Sequence, residues 1–177
     1  MSVTLFNSGQ KLRASRLNAM ITYMTRISAS KATDTSRNTT TTNTADPDLV
    51  LPLAANTSYD VHLMLILTSA ANAAGDFKAE LQFPSGATCS FVPHGLIDTL
   101  ASGSSGDLQA GSVSLDTSSP TGSFSAGVST SATGVLITAR VTTVSAGDLT
   151  LAWSQLASNA NNTTLKGGST MTAVPAG

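Results

Sequence analysis

Groups that carry out enzymatic chemistry are scarce in this chain of 177 residues. It contains one cysteine, Cys89, two histidines and a single glutamate, Glu80. A lone cysteine excludes a disulfide within the chain and cannot form a thiolate zinc site by itself. We therefore expect no bound metal and no cofactor.

Charged and aromatic side chains are also few, at 11% and 5% of the residues. Soluble domains typically carry about 25% charged residues. Solubility must therefore rest on hydroxyl and amide groups, a composition that suits short strands and turns better than long helices. No apolar run is long enough to cross a bilayer, and the N-terminus lacks the apolar centre of a secretory signal. We expect a soluble, mainly β protein that is made in the cytoplasm and binds no membrane.

Positive charge is concentrated at the start of the chain. Residues 1–37 contain six lysines and arginines and one acid, Asp34. The remainder of the chain contains three lysines and arginines and nine acids. A basic arm can bind nucleic acid or an acidic protein surface. The six bases are scattered and have one aromatic neighbour, Tyr23, so they fall short of a dense nucleic-acid patch. We expect the arm to dock on another protein and to bind no nucleic acid.

A helical period runs through the same region. Apolar residues recur at the spacing of one helical face between Ser15, which can cap the helix, and Ser30. The spacing predicts an amphipathic helix over 15–30, within an N-terminal anchor of residues 1–32. Because so short a helix is not stable alone, its apolar stripe must pack on a partner, on a copy of itself or on the chain's own core. The predicted docking residues are Leu12, Arg13, Arg16, Leu17, Met20, Ile21, Met24 and Ile27.

A polar tract separates this anchor from the rest of the chain. Residues 33–46 contain no apolar side chain larger than alanine. Burial of these side chains cannot offset the conformational entropy lost on ordering, so we expect a linker or arm. Pro47 and Pro52 follow, and because proline cannot donate to a ladder they indicate an edge strand or a strand start. The sequence thus predicts that a docking arm ends here and that a β-sandwich domain occupies residues 47–177. Deleting residues 1–46 should then leave a folded domain.

Beyond the tract the apolar period changes to two, which is typical of β-strands. Turn sequences rich in Gly, Pro, Asn and Ser separate the candidate strands. In one of them Leu149, Leu151 and Trp153 point one way and the intervening residues the other, as in a half-buried antiparallel strand. Eight or nine short strands at this spacing predict a sandwich or a barrel.

One predicted strand is apolar on both faces. The segment "VHLMLIL", residues 61–67, indicates a central strand with a second surface to cover. A neighbouring subunit can cover that surface. The candidate subunit contacts are His62, Met64 and Ile66.

The few reactive groups form no recognisable catalytic arrangement. A nucleophilic triad needs a serine or cysteine beside a histidine and a carboxylate. His62 lies within a strand and is interpreted as packed or facing a partner, while His94, near Cys89, has no evident activating neighbour. Asp46 and Asp48 are candidates for binding calcium, but a turn that opens the next strand is the simpler interpretation. We expect that the protein is not an enzyme.

Two parts of the sequence resemble structural proteins of bacteriophages. Residues 5–21, "LFNSGQKLRASRLNAMI", look like the short N-terminal segment of small tail, fibre and accessory proteins, with Arg16 where an acid is usual. The stretches "DPDLVLPLAANTSYDV" and "AGDLTLAWSQLASNANNTTLKGGSTMTA" are similar to the β-sandwich of minor structural proteins of tailed phages that infect actinobacteria. The resemblance implies an oligomeric virion component of jelly-roll type. Together with the second apolar face, it favours a homotrimer.

Three functions remain open at this point. The first is a non-enzymatic virion protein, made in the bacterial host cytoplasm, that contacts other virion proteins in the tail or fibre, or alternatively decorates the capsid. The second is an adhesion module for a host cell-surface glycan, which the apolar phase of Trp153 disfavours because such sites stack sugars on exposed aromatics. The third is a depolymerase, against which the shortage of acids and histidines argues. We expect the first.

Overall fold

The computed structural model describes residues 13–15, 17–18, 25–70, 76–95 and 121–176. Nearly all the regular structure in these ranges is β-strand, and none of their helical backbone is long and apolar enough to cross a membrane. The strands are β1 Ile27–Ser30, β2 Thr35–Arg37, β3 Thr44–Leu53, β4 Ser58–Ser69, β5 Phe77–Gln82, β6 Thr88–Gly95, β7 Thr121–Ala126, β8 Thr133–Thr142, β9 Gly147–Gln155, β10 Thr163–Leu165 and β11 Thr170–Pro175.

These strands form two antiparallel sheets. In the large sheet β4 lies at the centre, with β8 and then β6 on one side and β11 and then β1 on the other. β10 pairs with β4 beyond the end of β11 and carries β2 on its far side. The small sheet has the order β3-β9-β5-β7.

The strand order is that of a jelly roll. When β2, β6 and β10 are set aside, the described strands give one sheet of order β1-β11-β4-β8 and one of order β3-β9-β5-β7. If these eight strands are renumbered 1 to 8 in chain order, the two sheets have the orders 1-8-3-6 and 2-7-4-5. The chain therefore passes from one sheet to the other at most connections and forms two Greek keys around one core. The antiparallel, jelly-roll-like β-sandwich expected from the sequence and the resemblance is confirmed.

The core lies between the sheets and follows from side-chain alternation. Every second residue of β8 from Thr133 to Val141 is buried, and β9 contributes Leu149, Leu151 and Trp153, as the sequence predicts. Fully burying a leucine or phenylalanine side chain contributes roughly 1.5–3 kcal/mol. This one cluster therefore supplies most of the favourable free energy of folding. Its other large members include Leu49, Leu51, Leu63, Leu65, Leu67, Phe77, Leu81, Phe124, Ile137, Leu165 and Met171.

A strand replaces the end of the predicted helix. The backbone is helical at residues 14, 15, 17 and 18, where the Leu17 N–H donates to the Arg13 carbonyl at 3.1 Å. Ile27–Ser30, however, pairs with β11. The helix predicted over 15–30 is therefore wrong at its C-terminal end, because "ISAS" also fits a period of two and its backbone groups bond to β11. Residues 16 and 19–24 lie outside the described ranges.

The threonine and asparagine tract is also part of the fold. It includes β2, which pairs with β10. Beyond β2 the Thr39 N–H donates to the Asn159 carbonyl at 2.8 Å, and the Thr40 carbonyl accepts from the Gln155 N–H at 3.1 Å. Hydrogen bonds of the backbone, together with polar side-chain contacts such as Asn38 to Asn162 and the Asp34–Lys166 ion pair, hold this segment in place of apolar burial. The expected linker over residues 33–46 is thus ordered against the sandwich, whose first strand precedes residue 47.

β3 is an edge strand of the small sheet, as its two prolines predict. Its pairing with β9 shifts register, because the five residue steps from Ala45 to Val50 face only the two from Ala152 to Thr150. The extra residues form a bulge, which re-aims side chains. Asp46 lies in this bulge and is completely buried.

Candidate functional site

The candidate functional site is the outer face of the large sheet. β4 turns Leu63 and Leu65 into the core, so its intervening side chains face outward. Among these, His62 and Met64 are exposed and Ile66 is partly buried. The structure therefore places the three candidate subunit contacts together on one face.

Neighbouring strands extend this face with apolar side chains. Leu136 on β8 lies opposite Met64, and Thr138 lies between His62 on β4 and Val92 on β6. Met64, Val92 and Leu136 are 40%, 41% and 55% exposed, which is unusual for large apolar side chains on neighbouring strands. The sequence analysis missed Val92 and Leu136. Their signal was present, since both occupy the outward phase of strands that the sequence did predict.

A pocket of about 270 Å³ lies on the same face. Met64 and Leu136 supply aliphatic surface, and Thr138, Thr170 and Thr172 supply hydroxyl groups. Arg26 and His62 add a guanidinium and an imidazole, and of the described residues no carboxylate or thiol lines the pocket. Apolar surface beside hydroxyl groups and an arginine is a composition typical of protein interfaces.

Two opposite charges lie at the edge of this face. Asp60 and Arg140 lie opposite one another on β4 and β8, and the Arg140 Nε lies 3.2 Å from the Asp60 Oδ1. Both side chains are 53% exposed, and such surface pairs contribute about 0–1 kcal/mol. The pair therefore adds no net charge to the face, whereas Arg26 adds a positive charge beside the pocket.

The predicted anchor residues are only partly within the described ranges. Arg13 and Leu17 lie in the helical turn, and Leu17 is 42% exposed. Ile27 lies in β1 and packs against the domain's own core, which is one of the partners that the sequence analysis left open for the apolar stripe. The remaining predicted docking residues fall outside the described ranges: Leu12, Arg16, Met20, Ile21 and Met24.

The glutamate and the described histidine side chain lie on different sheets. Glu80 on β5 accepts a hydrogen bond from the Gln82 amide at 2.7 Å, in the small sheet, whereas His62 lies on the outer face of the large one. Within the described ranges no group of three or more His, Cys, Asp or Glu side chains is placed to hold a metal ion. Burial raises the pKa of the Cys89 thiol to about 12.

That raised pKa predicts slow alkylation of Cys89 in the native protein. Only the thiolate reacts, so at pH 8 we expect a rate on the order of 10³-fold below that of an unperturbed cysteine. Iodoacetamide labelling followed by mass spectrometry measures it, with the urea-unfolded chain as the control. Equal labelling of the folded and unfolded chain would contradict the burial of this thiol.

A second cluster of charged groups lies where the N-terminal strands meet the small sheet. The Lys31 Nζ donates to both carboxylate oxygens of Asp46, at 3.1 and 2.9 Å, and both side chains are 0% exposed. Trp153 Nε1 donates to the Asp46 Oδ2 at 3.2 Å. The Lys31 ammonium therefore occupies the space beside the Asp46 carboxylate. Asp46 lies in the bulge within β3, and not in a turn before the strand as the sequence analysis expected. The sequence analysis missed Lys31 because an ion pair across 15 residues leaves no periodic signal.

Arg37 packs its guanidinium over the ring of Trp153. Its Cζ lies 4.1 Å from the Trp153 ring centre, and its guanidinium donates to the Thr44 carbonyl at 2.8 Å and to the Trp153 carbonyl. A cation over an indole face stabilises both groups. The arrangement joins β2, β3 and β9 at one end of the sandwich.

The chain is only distantly similar to proteins of known structure. No protein-family model and no curated protein matches it. Among solved structures it is similar to that of the infectious bursal disease virus Gt strain, at 12% identity with a TM-score of 0.21, and of the Gx strain, at 10% with 0.23. The crystal structure of the VP2 subviral particle of that virus gives 10% and 0.21. Each match covers 86% of this chain and 40–41% of the other, and TM-scores of this size say nothing about function.

Proposed function

We propose that this chain is a non-enzymatic structural component of a bacteriophage virion, associated with the tail or fibre. In this proposal it docks on other virion proteins through its N-terminal segment and displays the β-sandwich at the particle surface. The observation that carries the proposal is the outer face of the large sheet, on which the apolar side chains of Met64, Val92 and Leu136 are exposed. A domain that works alone in water normally covers such a face with charged side chains.

The occupant proposed for this face is a second copy of the chain, in a homotrimer. Methionine and other apolar side chains are enriched in the cores of protein interfaces, where charged side chains are depleted. Met64, Val92 and Leu136 fit that composition, and the net charge of −1 opposes self-association very little. Closed rotational symmetry then covers the same face in every copy.

Replacing Leu136 by aspartate tests the occupant. Leu136 is 55% exposed, so the substitution spares the fold but places one charge in each copy of the interface. We expect trimerisation measured by sedimentation to weaken on the order of 100-fold. Val144→Asp is the matched control, since Val144 is a 58% exposed apolar residue in the turn after β8. A wild-type chain that stays monomeric at micromolar concentration would count against the trimer.

Placement on the particle is the finer part of the proposal. The anchor-like segment "GQKLRASRLNA" supports the tail or fibre, whereas capsid decoration is the alternative. Gold-labelled antibodies against the purified chain distinguish the two placements in electron micrographs of particles. Label on the tail supports the proposal, and label spread over the icosahedral shell would replace it by capsid decoration.

A host-glycan adhesion module is less well supported by the described residues. Sugars stack on exposed aromatic rings, but Tyr59, Phe77 and Trp153 are each at most 2% exposed. Phe91 and Phe124 are also buried. Binding of the purified protein to host cells or wall fragments would restore that alternative.

A further inference from the structure

The buried ion pair beneath β1 has the components of a covalent cross-link. The Lys31 Nζ lies within 3.1 Å of both oxygens of the Asp46 carboxylate, and water reaches neither side chain, since both are 0% exposed. A second carboxylate is present, because the Asp48 Oδ2 also lies 3.1 Å from the Nζ. An amine, a carboxyl group and an adjacent proton carrier therefore meet in one dry site.

We propose that Lys31 and Asp46 form an intramolecular isopeptide bond, with Asp48 carrying protons between them. The bond joins the Lys31 Nζ to the Asp46 Cγ and releases one water molecule. This proposal stands apart from the proposed function, because it concerns the chain by itself.

The reaction begins with a proton transfer from the Lys31 ammonium to Asp48. The nitrogen attacks only through a free lone pair, so a proton must leave the ammonium first. The Asp48 carboxylate, in contact with the Nζ, accepts that proton, and the freed lone pair attacks the Asp46 Cγ. The side chain of Asp48 is 34% exposed, whereas that of Asp46 is fully buried.

The groups around Asp46 suit the intermediate that follows. Trp153 Nε1 donates to the Asp46 Oδ2 at 3.2 Å and stabilises the charge that develops on that oxygen. The other oxygen, Oδ1, accepts from the Asp48 backbone N–H at 3.1 Å and is the leaving oxygen. The two protons that the ammonium loses are the two that the departing oxygen gains. Water is the only by-product, Asp48 ends unchanged, and no oxidant or co-reactant is needed.

The backbone holds the two reacting residues in place. The Lys31 N–H donates to the Ser169 carbonyl, and the Lys31 carbonyl accepts from the Gly168 N–H, both at 2.8 Å. Asp46 is fixed in the bulge of β3. Reactants held at contact react far faster and more completely than free amine and acid in water, because the entropy of bringing them together is already lost.

The cross-link would tie the start of the domain to its edge strand. It closes the loop from Lys31 to Asp46 and so joins the end of β1 covalently to β3. A pull on the residues before β1 would then act on β3 through a covalent bond, and unpairing β1 from β11 would not release the connection.

Intact-mass spectrometry of the denatured full-length protein tests the proposal. We expect the wild-type chain to be lighter than its sequence by one water molecule, and Lys31→Arg, which keeps the cation but cannot form the bond, to have its full mass. Asp48→Asn should be found as a mixture in which the lighter form accumulates slowly. Since wild type alone gives the main result, a variant that fails to fold does not affect the outcome.

Peptide mapping separates this bond from dehydration elsewhere. Trypsin should fail to cleave after Lys31 and should release residues 27–37 joined to residues 38–78. That species should survive hydroxylamine, which opens a cyclic imide formed at an aspartate. Full mass in the wild type, cleavage after Lys31, or loss of the lighter form in hydroxylamine would each overturn the proposal and leave Lys31 and Asp46 as an ion pair.

Discussion

Deleting residues 1–46 is expected to abolish folding, whereas deleting residues 1–24 is expected to leave the sandwich intact. The longer deletion removes β1, β2, Lys31 and Asp46, and it exposes the edge of β11 and one side of Trp153. Those losses are comparable with the whole stability of an ordinary domain, about 5–15 kcal/mol. This outcome reverses the expectation from the sequence, in which the domain began at residue 47.

Circular dichroism and thermal unfolding of the two purified truncations measure the difference. The shorter deletion is the matched control, since it removes three of the six N-terminal bases but none of the strands that the structure describes. A cooperative unfolding transition in the chain that begins at residue 47 would show that β1 and β2 are dispensable additions to the sandwich.

Replacing Trp153 by alanine is expected to cost about 3–5 kcal/mol of stability, as for other buried tryptophans. The ring is 0% exposed and stacks on Phe77 with a centroid distance of 5.4 Å. Truncation leaves a cavity between Phe77 and Arg37 and removes the Nε1 donor from Asp46. Urea unfolding should show the transition midpoint falling accordingly.

Trp153→Phe separates packing from hydrogen bonding. It keeps a ring against Phe77 and removes the donor to Asp46 together with one of the two fused rings, so we expect a smaller loss, of about 1–3 kcal/mol. If both variants were equally destabilised, the hydrogen bond to Asp46 and not the packing of the ring would dominate.

The sandwich was predictable because strands such as β4 and β8 alternate between buried and outward side chains. In β9 the side chains of Leu149, Leu151 and Trp153 are buried as expected, but Ala152 and Ser154 are buried too, so this strand is covered on both faces and is not half-buried. The outer row of β4 placed His62, Met64 and Ile66 on the candidate face before the sheet order was known. The strand order itself was not predictable from periodicity, because pairing partners lie far apart in sequence.

The N-terminal strands were not predictable for a different physical reason. Hydrophobic patterns report burial of side chains, but β2 and the residues after it are held by backbone hydrogen bonds, such as that from Thr39 to Asn159. β1 was not predicted as a strand because Ile27 fits the helical spacing of the preceding residues as well as an alternating pattern. The ion pair of Lys31 with Asp46 joins two single charged residues, and no local rule connects them.

The central claim is the proposal that the chain is a phage virion component, and cryo-electron microscopy of the virions proposed to contain it tests this claim most directly. The account predicts density for the sandwich in several copies at the tail, with the face around Met64 and Leu136 packed against the neighbouring copy. Particles that lack the chain, or copies whose large sheet faces solvent without a neighbour, would contradict it.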